Sequence, residues 1–253
     1  MLRPKGYDQV EVYDIITYRL QRCLTVPNAK GFIDMTSCEH CHCVYISDHR
    51  IECIHRLDVH IQGAGATTQW AVKDKPCALS VNAVHNLLVV CRFAGKIKEF
   101  SSHGDLLREL AFPDHIVNPL HTIQLATGQF VVCHGGVHDN VHRVCMISAD
   151  DGQIGQIVHS HGGRRGSDAD HYHYPIHLAV DKNEFVYVVD PVDQRVTLLS
   201  PTLQYVRPVV SSDNPKWRPG RLCLDVQRQL LYVAENEVED GNAKSGRAVV
   251  YSV

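Results

Sequence analysis

Histidine, cysteine and a few carboxylates are the residues of this chain that can do chemistry; its 253 residues include 17 histidines and 10 cysteines. The first set of interest is His121, His134 and His177, with Arg221 and the carboxylates Asp48, Asp190 and Glu235 in company. Imidazoles are zinc ligands, and a catalytic zinc takes three protein ligands at about 2.0–2.2 Å, leaving a fourth position open for water. Zinc is the one cofactor these residues suggest, on His121, His177 and His134. Without a metal the same residues make a proton-responsive cluster. Each protonated histidine adds positive charge beside the others and Arg221, the carboxylates oppose it, and an ordinary histidine titrates near pH 6.5. A second metal-like string is CEHCHC at 38–43, with Cys38 and Cys41 in CxxC spacing and Cys43 and Cys53 close by. It has no second CxxC, and Cys43 opens an apolar strand. Packed thiols are the expected state there, with a zinc knot or an oxidised pair as alternatives. GAGATT (63–68) lacks the third glycine and following helix of a nucleotide loop, and no GxSxG, P-loop or HExxH occurs.

What must position these residues is a repeated β unit. One strand pattern recurs as QVEVYDI from Gln9, RIECIHR from Arg50, KIKEFSS from Lys96, RVCMISA from Arg143, RVTLLSP from Arg195 and RAVVYSV from Arg247, with starts 41 to 52 residues apart. That spacing is close to the roughly 40–50 residues of a four-stranded propeller blade. Each copy alternates apolar and polar residues, the two-residue period of a strand with one buried face. The strands before them, CVYIS, LLVVC, QFVVC, FVYVV and LLYVA, are nearly continuous apolar runs and suit fully covered inner positions. Innermost strands start at Gly31, Ala78, His121, His177 and Arg221, the last four each two residues after a proline. In an up-and-down blade those starts share one end with the second-strand ends Asp48, Cys91, His134, Asp190 and Glu235. His121, His134, His177, Asp190, Arg221 and Glu235 therefore define the expected partner-binding mouth. Val44, Ile46, Leu88, Val90, Val131, Val186, Val188, Leu231 and Val233 should be buried.

YPIHLAVDKNEFVYVVDPVDQRVTLLSP (174–201) resembles an NHL repeat: a proline, two apolar-rich strands, then Asp and Arg around a turn. RPGRLCLDVQRQLLYVAENE, KPCALSVNAVHNLLVVC and NPLHTIQLATGQFVVCH are weaker copies. The resemblance implies an all-β NHL-type β-propeller. Residues 9–26 supply only outer strands and 221–253 inner ones, so six blades with imperfect closure of the terminal blade are expected, five being the alternative, and the chain also fits as a partial copy of a longer protein. It further implies a substrate-receptor role like that of tripartite-motif propellers. More distantly it resembles the zinc-dependent peptidyl-hydroxyglycine amidating lyase propeller, whose histidine ligands lie near the axis. Here only His121 and His177 match such positions.

Composition narrows the rest. With 44% hydrophobic and 21% charged residues, one domain over 1–253 is expected. No apolar run approaches the roughly 20 residues of a spanning helix. No secretory pattern opens the chain, so a reducing compartment and a cytoplasmic location are the expectation. A net charge of −3 speaks against a phosphate-binding surface. RNA binding, resting on Arg164, Arg165, Lys216, Trp217, Arg218 and Arg221, ranks below a protein partner. Two polar insertions, 161–175 and 235–246, should lie over the mouth as loops. The reading is a protein-interaction or substrate-recognition module, with a zinc-dependent lyase or hydrolase as alternative.

Overall fold

The computed structural model describes residues 2–5, 8–59, 67–136, 138–150, 153–211, 216–239 and 242–253. Its contacts group the chain into two compact units, Met1–Glu109 and Leu110–Val253.

The chain opens with three antiparallel sheets of sequential strands. They are β1 (Leu2–Lys5), β2 (Gln9–Tyr13) and β3 (Leu20–Thr25); β4 (Phe32–Cys38), β5 (Cys43–Asp48), β6 (Cys53–Asp58) and β7 (Thr67–Ala71); and β8 (Ala78–Val81), β9 (Leu87–Cys91), β10 (Lys96–Phe100) and β11 (Leu106–Ala111). The second unit repeats the pattern. β12 (Pro119–Gln124), β13 (Phe130–His134), β14 (Val141–Asp150) and β15 (Gln153–Arg164) form one sheet. β16 (His177–Val180), β17 (Val186–Asp190), β18 (Arg195–Leu199) and β19 (Tyr205–Ser211) form the next, and β20 (Trp217–Asp225), β21 (Leu230–Glu239) and β22 (Asn242–Ser252) the last. Among the described residues there is no α-helix, only a 3-10 turn at Arg92–Ala94. None of their helices is long and apolar enough to cross a membrane.

Burial follows the sequence pattern. Every residue of the second strands β5, β9, β13 and β17 is buried, whereas the outer strands β3 and β11 bury only one residue in six. The nine residues expected in the core are all within it. Ile123, Val131, Val144, Leu178, Val188 and Leu199 interlock the faces of two neighbouring sheets in the second unit. Leu199 has no exposed surface, so truncating it to alanine should cost about 2–5 kcal/mol.

Four of the sheets are complete four-stranded blades. The remaining strands lie in two three-stranded sheets that share no ladder among the described residues. The blade count is five, the alternative expected from the sequence, and not the six expected first. β1 is invisible in the sequence because its register pairs include Pro4 with Val10 and it carries no alternating pattern. The 235–246 insertion is no loose loop: β21 and β22 stay paired to Glu239 and Asn242, and residues 240–241 lie outside the described residues. Of GAGATT, residues 63–66 also lie outside them, and Thr67 and Thr68 open β7.

Candidate functional site

A recurrent irregularity aims the candidate side chains. Near the start of β4, β12 and β20 the register against the next strand slips by one residue, between Phe32 and Asp34, Pro119 and His121, and Pro219 and Arg221. A bulge leaves one residue unpaired and re-aims the next. Asp34, His121 and Arg221 thus hold one ladder position, opposite Ser47, Cys133 and Ala234; His177 opposite Val189 and Ala78 opposite Val90 hold it in the other sheets. On sequence alone Gly31 is the residue expected there. The repeat aligns Phe32 with the prolines, and that match would have pointed to Asp34, a buried carboxylate that accepts the Leu79 amide at 2.9 Å.

In the second unit His121 and His177 face each other with ring centroids 3.9 Å apart and planes at 39°. Each can offer a ligand nitrogen within 4.8 Å of the other's. Both are buried. The Leu222 amide donates to His177 Nδ1 at 3.4 Å, so the neutral ring carries its proton on Nε2. Burial, then His121 and Arg221, push the His177 pKa well below the usual range, so the ring is neutral at physiological pH.

The three-histidine zinc set does not assemble. Along a strand successive side chains alternate faces, and His121 shares its face with Cys133, so His134 points the other way. There His134 Nε2 meets Cys145 Sγ at 3.5 Å. Burial chiefly, with Arg143, His115 and His142 adding to it and the Val117 carbonyl opposing, takes the His134 pKa down to about 4. Within the second unit the two imidazoles supply two of the three ligands a catalytic zinc uses.

The remaining mouth residues are already engaged. Glu235 is buried and receives Nε and Nη2 of Arg247, both at 2.7 Å, while that guanidinium lies 4.0 Å over the Trp217 ring. Arg221, partly exposed, donates from Nη1 to the Gly220 carbonyl at 3.0 Å. Asp190 is fully buried and accepts the amides of His173 (2.7 Å), Tyr174 (3.2 Å), Val192 (3.2 Å) and Asp193 (3.3 Å). Five of the six candidate side chains are thus buried, and only Arg221 reaches the surface.

The same anchors explain the 161–175 segment, which is a fastened cap rather than a mobile insertion. Residues 161–164 belong to β15. Beyond them Arg195 donates to the carbonyls of Ser167 (3.1 Å), Asp168 (2.9 Å) and His171. His161 Nε2 donates to the Ala169 carbonyl at 2.9 Å, and His173 Nδ1 pairs with Asp193 at 2.5 Å. Tyr172 is buried beneath, bonded to Thr197 at 3.0 Å and lying 5.5 Å from the Arg195 guanidinium.

In the first unit Asp48 clamps its own turn and the segment leading into β4, accepting the amides of Arg50 at 3.0 Å and Lys30 at 2.5 Å. His55 Nε2 lies 3.6 Å from Asp48 Oδ2 and 3.4 Å from Cys53 Sγ. Because thiol and carboxylate meet the same ring nitrogen, they cannot form a relay, which needs opposite nitrogens. Burial first, then Asp48, pushes the Cys53 thiol up to about 12, so it is no nucleophile. Cys91 at the mouth position is equally buried and inert, pushed up to about 12.

No protein-family model matches the chain, and no curated protein sequence does. Solved structures do. The nidogen/laminin complex matches with a TM-score of 0.67 at 15% identity, over 97% of this chain and 91% of that one. Virginiamycin B lyase from Staphylococcus aureus matches with a TM-score of 0.61 at 10% identity, over 98% and 78%. The fold is a β-propeller. A streptogramin B lyase structure is similar as well, with a TM-score of 0.59 at 15% identity over 88% of this chain and 69% of that chain. At these identities the likeness carries the propeller and no activity.

Proposed function

We propose that the protein is a recognition module, a single propeller of NHL type that binds a protein segment on the turns at one end of the second unit. The observation that carries this reading is the fastened 165–176 cap: a polar, glycine-containing segment held by Asp190, Arg195 and His161 presents a fixed surface, and a fixed surface loses little entropy on binding. Val117 and Val192, on turns, and Val141, the first residue of β14, are between 37% and 42% exposed at that same end of their sheets, with exposed Arg164 opposite Val141 across the ladder and exposed Arg165 next to it. The buried His121, His134, His177, Asp190 and Glu235 support the turns from beneath; direct contact falls to the turns and to Arg221. A propeller within a protein complex, as in the nidogen/laminin structure, agrees with this use of the fold. The test is partner recovery by wild type, by Val192→Asp with Val141→Asp, and by Arg221→Ala. Loss with the valine pair and a folded circular-dichroism spectrum supports the reading, and full recovery by all variants overturns it.

The second reading, a metal-dependent lyase or hydrolase, draws on the facing pair His121 and His177. It requires a ligand beyond these two. Stoichiometric zinc at pH 7.5 that is released at pH 5, where protons compete for imidazole nitrogens, would favour it over recognition.

A further inference from the structure

The turn between β4 and β5 brings three thiols together at the opposite end of that sheet from Asp48, in a place that the recognition reading does not use. Cys38 and Cys43 sit directly across the ladder from each other. Both are buried, with 4% and 1% exposure, while Cys41 between them is open in part to solvent. The turn is tightly wound. The Cys41 amide donates to Cys38 Sγ at 3.4 Å, the His42 amide to the Glu39 carbonyl at 3.1 Å, and His42 takes a left-handed φ of 49°. His40 stacks on His85 with centroids 4.0 Å apart and planes at 4°, which holds the turn in place. The amide bond from Cys41 places its backbone directly against the Cys38 sulfur, and a CxxC span of this kind falls within reach of disulfide geometry.

We propose that this turn is a dithiol–disulfide site in which Cys41 is the entry thiol and Cys38 closes the bond. The oxidant is a small-molecule disulfide. The Cys41 thiolate attacks one of its sulfurs, forming a mixed disulfide and releasing one small thiolate, which takes up a proton. Cys38 then loses its proton and its sulfur attacks Cys41 Sγ, expelling the second small thiol. Two protein thiols are oxidised and one small disulfide is reduced to two thiols. Cys43, sealed in the core, stays reduced.

The accessible and buried thiols divide the two steps. Burial first, then the neighbouring thiols Cys41 and Cys43, against the Cys41 amide, put the Cys38 pKa up to about 11. Closure requires the Cys38 thiolate, so its rate should rise roughly tenfold per pH unit across the neutral range. Cys23 and Cys223 are exposed and supply an internal control for the first step, attack of a solvent-accessible thiol on the small disulfide.

The experiment treats the full chain with oxidised glutathione and follows intact mass and peptide mapping. A Cys38–Cys41 crosslink with loss of two hydrogens, beside glutathione retained on Cys23 and Cys223, is the expected result. Cys38→Ser should leave glutathione stably on Cys41, and Cys41→Ser should leave Cys38 unmodified. Because Cys38→Ser alters a buried residue, Cys41→Ser with an unchanged circular-dichroism spectrum serves as the second arm. A Cys38–Cys43 crosslink, or glutathione held on Cys41 in the wild type without closure at pH 9, overturns the proposal.

Discussion

Asp48 and Asp190 occupy the same place in two blades, at the end of the second strand, and both are wholly buried clamps on backbone amides. Their charges are treated oppositely. At Asp48 burial pushes the carboxyl up, but the amides of Lys30, Gly31, Arg50 and Ile51 together outweigh it and the pKa lies below the usual value. At Asp190 burial is reinforced by Asp193, and the amides of His173, Asp193 and Tyr174 do not recover the difference, so the pKa is raised. The repeat therefore keeps the hydrogen-bonding shape of the clamp without keeping the worth of its charge.

The largest expected difference arises from that. Asp48→Asn should cost about 2–4 kcal/mol, because it removes an acceptor oxygen from short amide bonds and a charge that the fold stabilises. Asp190→Asn loses an acceptor but also sheds a charge the site disfavours, and should cost about 1–2 kcal/mol. Urea denaturation at pH 7 compares the two. Equal costs would mean that the amides alone matter. The signs with pH differ too. The lowered Asp48 contributes stability that is present above its unfolded value near 3.8 and fades as pH falls through its folded value. The raised Asp190 contributes stability below 3.8 that is lost as pH rises through its folded value.

Much of this was legible in the sequence, for identifiable reasons. Continuous apolar runs such as LLVVC and FVYVV announce covered inner strands, and the recurring Asp and Arg of 190–195 announce a clamped turn. What could not be read is which way a side chain points after a bulge. One slipped residue at Leu120 turns His121 towards His177, and strand alternation sends His134 to the other face, so three histidines that the repeat puts at one end of their sheets do not converge. The 161–175 string looks like solvent-loving loop because its fastening is almost all to backbone carbonyls and amides, which no side-chain pattern reveals.

Buried neutral histidines extend the contrast between the units. His134, His161 and His177 in the second unit and His55 in the first all have pKa values lowered chiefly by burial. Each disfavours protonation in the fold, so stability should be full above the unfolded value near 6.5 and fall as pH drops towards the folded values. His134, at about 4, should account for up to about 3 kcal/mol of that acid loss. His134→Gln should flatten the decline between pH 6.5 and 4 in a thermal-melting series. An unchanged slope would show that His134 stays solvated enough to protonate freely.

Arg195→Lys tests the cap with a smaller effect. A lysine keeps the charge but not the fork that reaches three carbonyls, so about 1–2 kcal/mol should be lost. The informative readout is hydrogen exchange: amides of residues 165–176 should lose protection while those of β17 keep theirs. Uniform loss across the sheet would make Arg195 a part of the core rather than a fastener.

The smallest expected change sharpens the contrast between the two carboxylates most. Asp193 raises the Asp190 pKa by like-charge repulsion, after burial, and it also pairs with His173 at 2.5 Å and with Arg195 at 3.2 Å. Asp193→Asn removes the repulsion and weakens both pairs, and these opposed effects should leave stability within about 1 kcal/mol of wild type. The Asp190 titration, followed by carboxyl carbon chemical shift, should nonetheless move down towards the ordinary carboxylate value. A titration that stays where it was would assign the raised pKa of Asp190 to burial alone, and the contrast with Asp48 would then rest on how many short amide bonds each carboxylate receives.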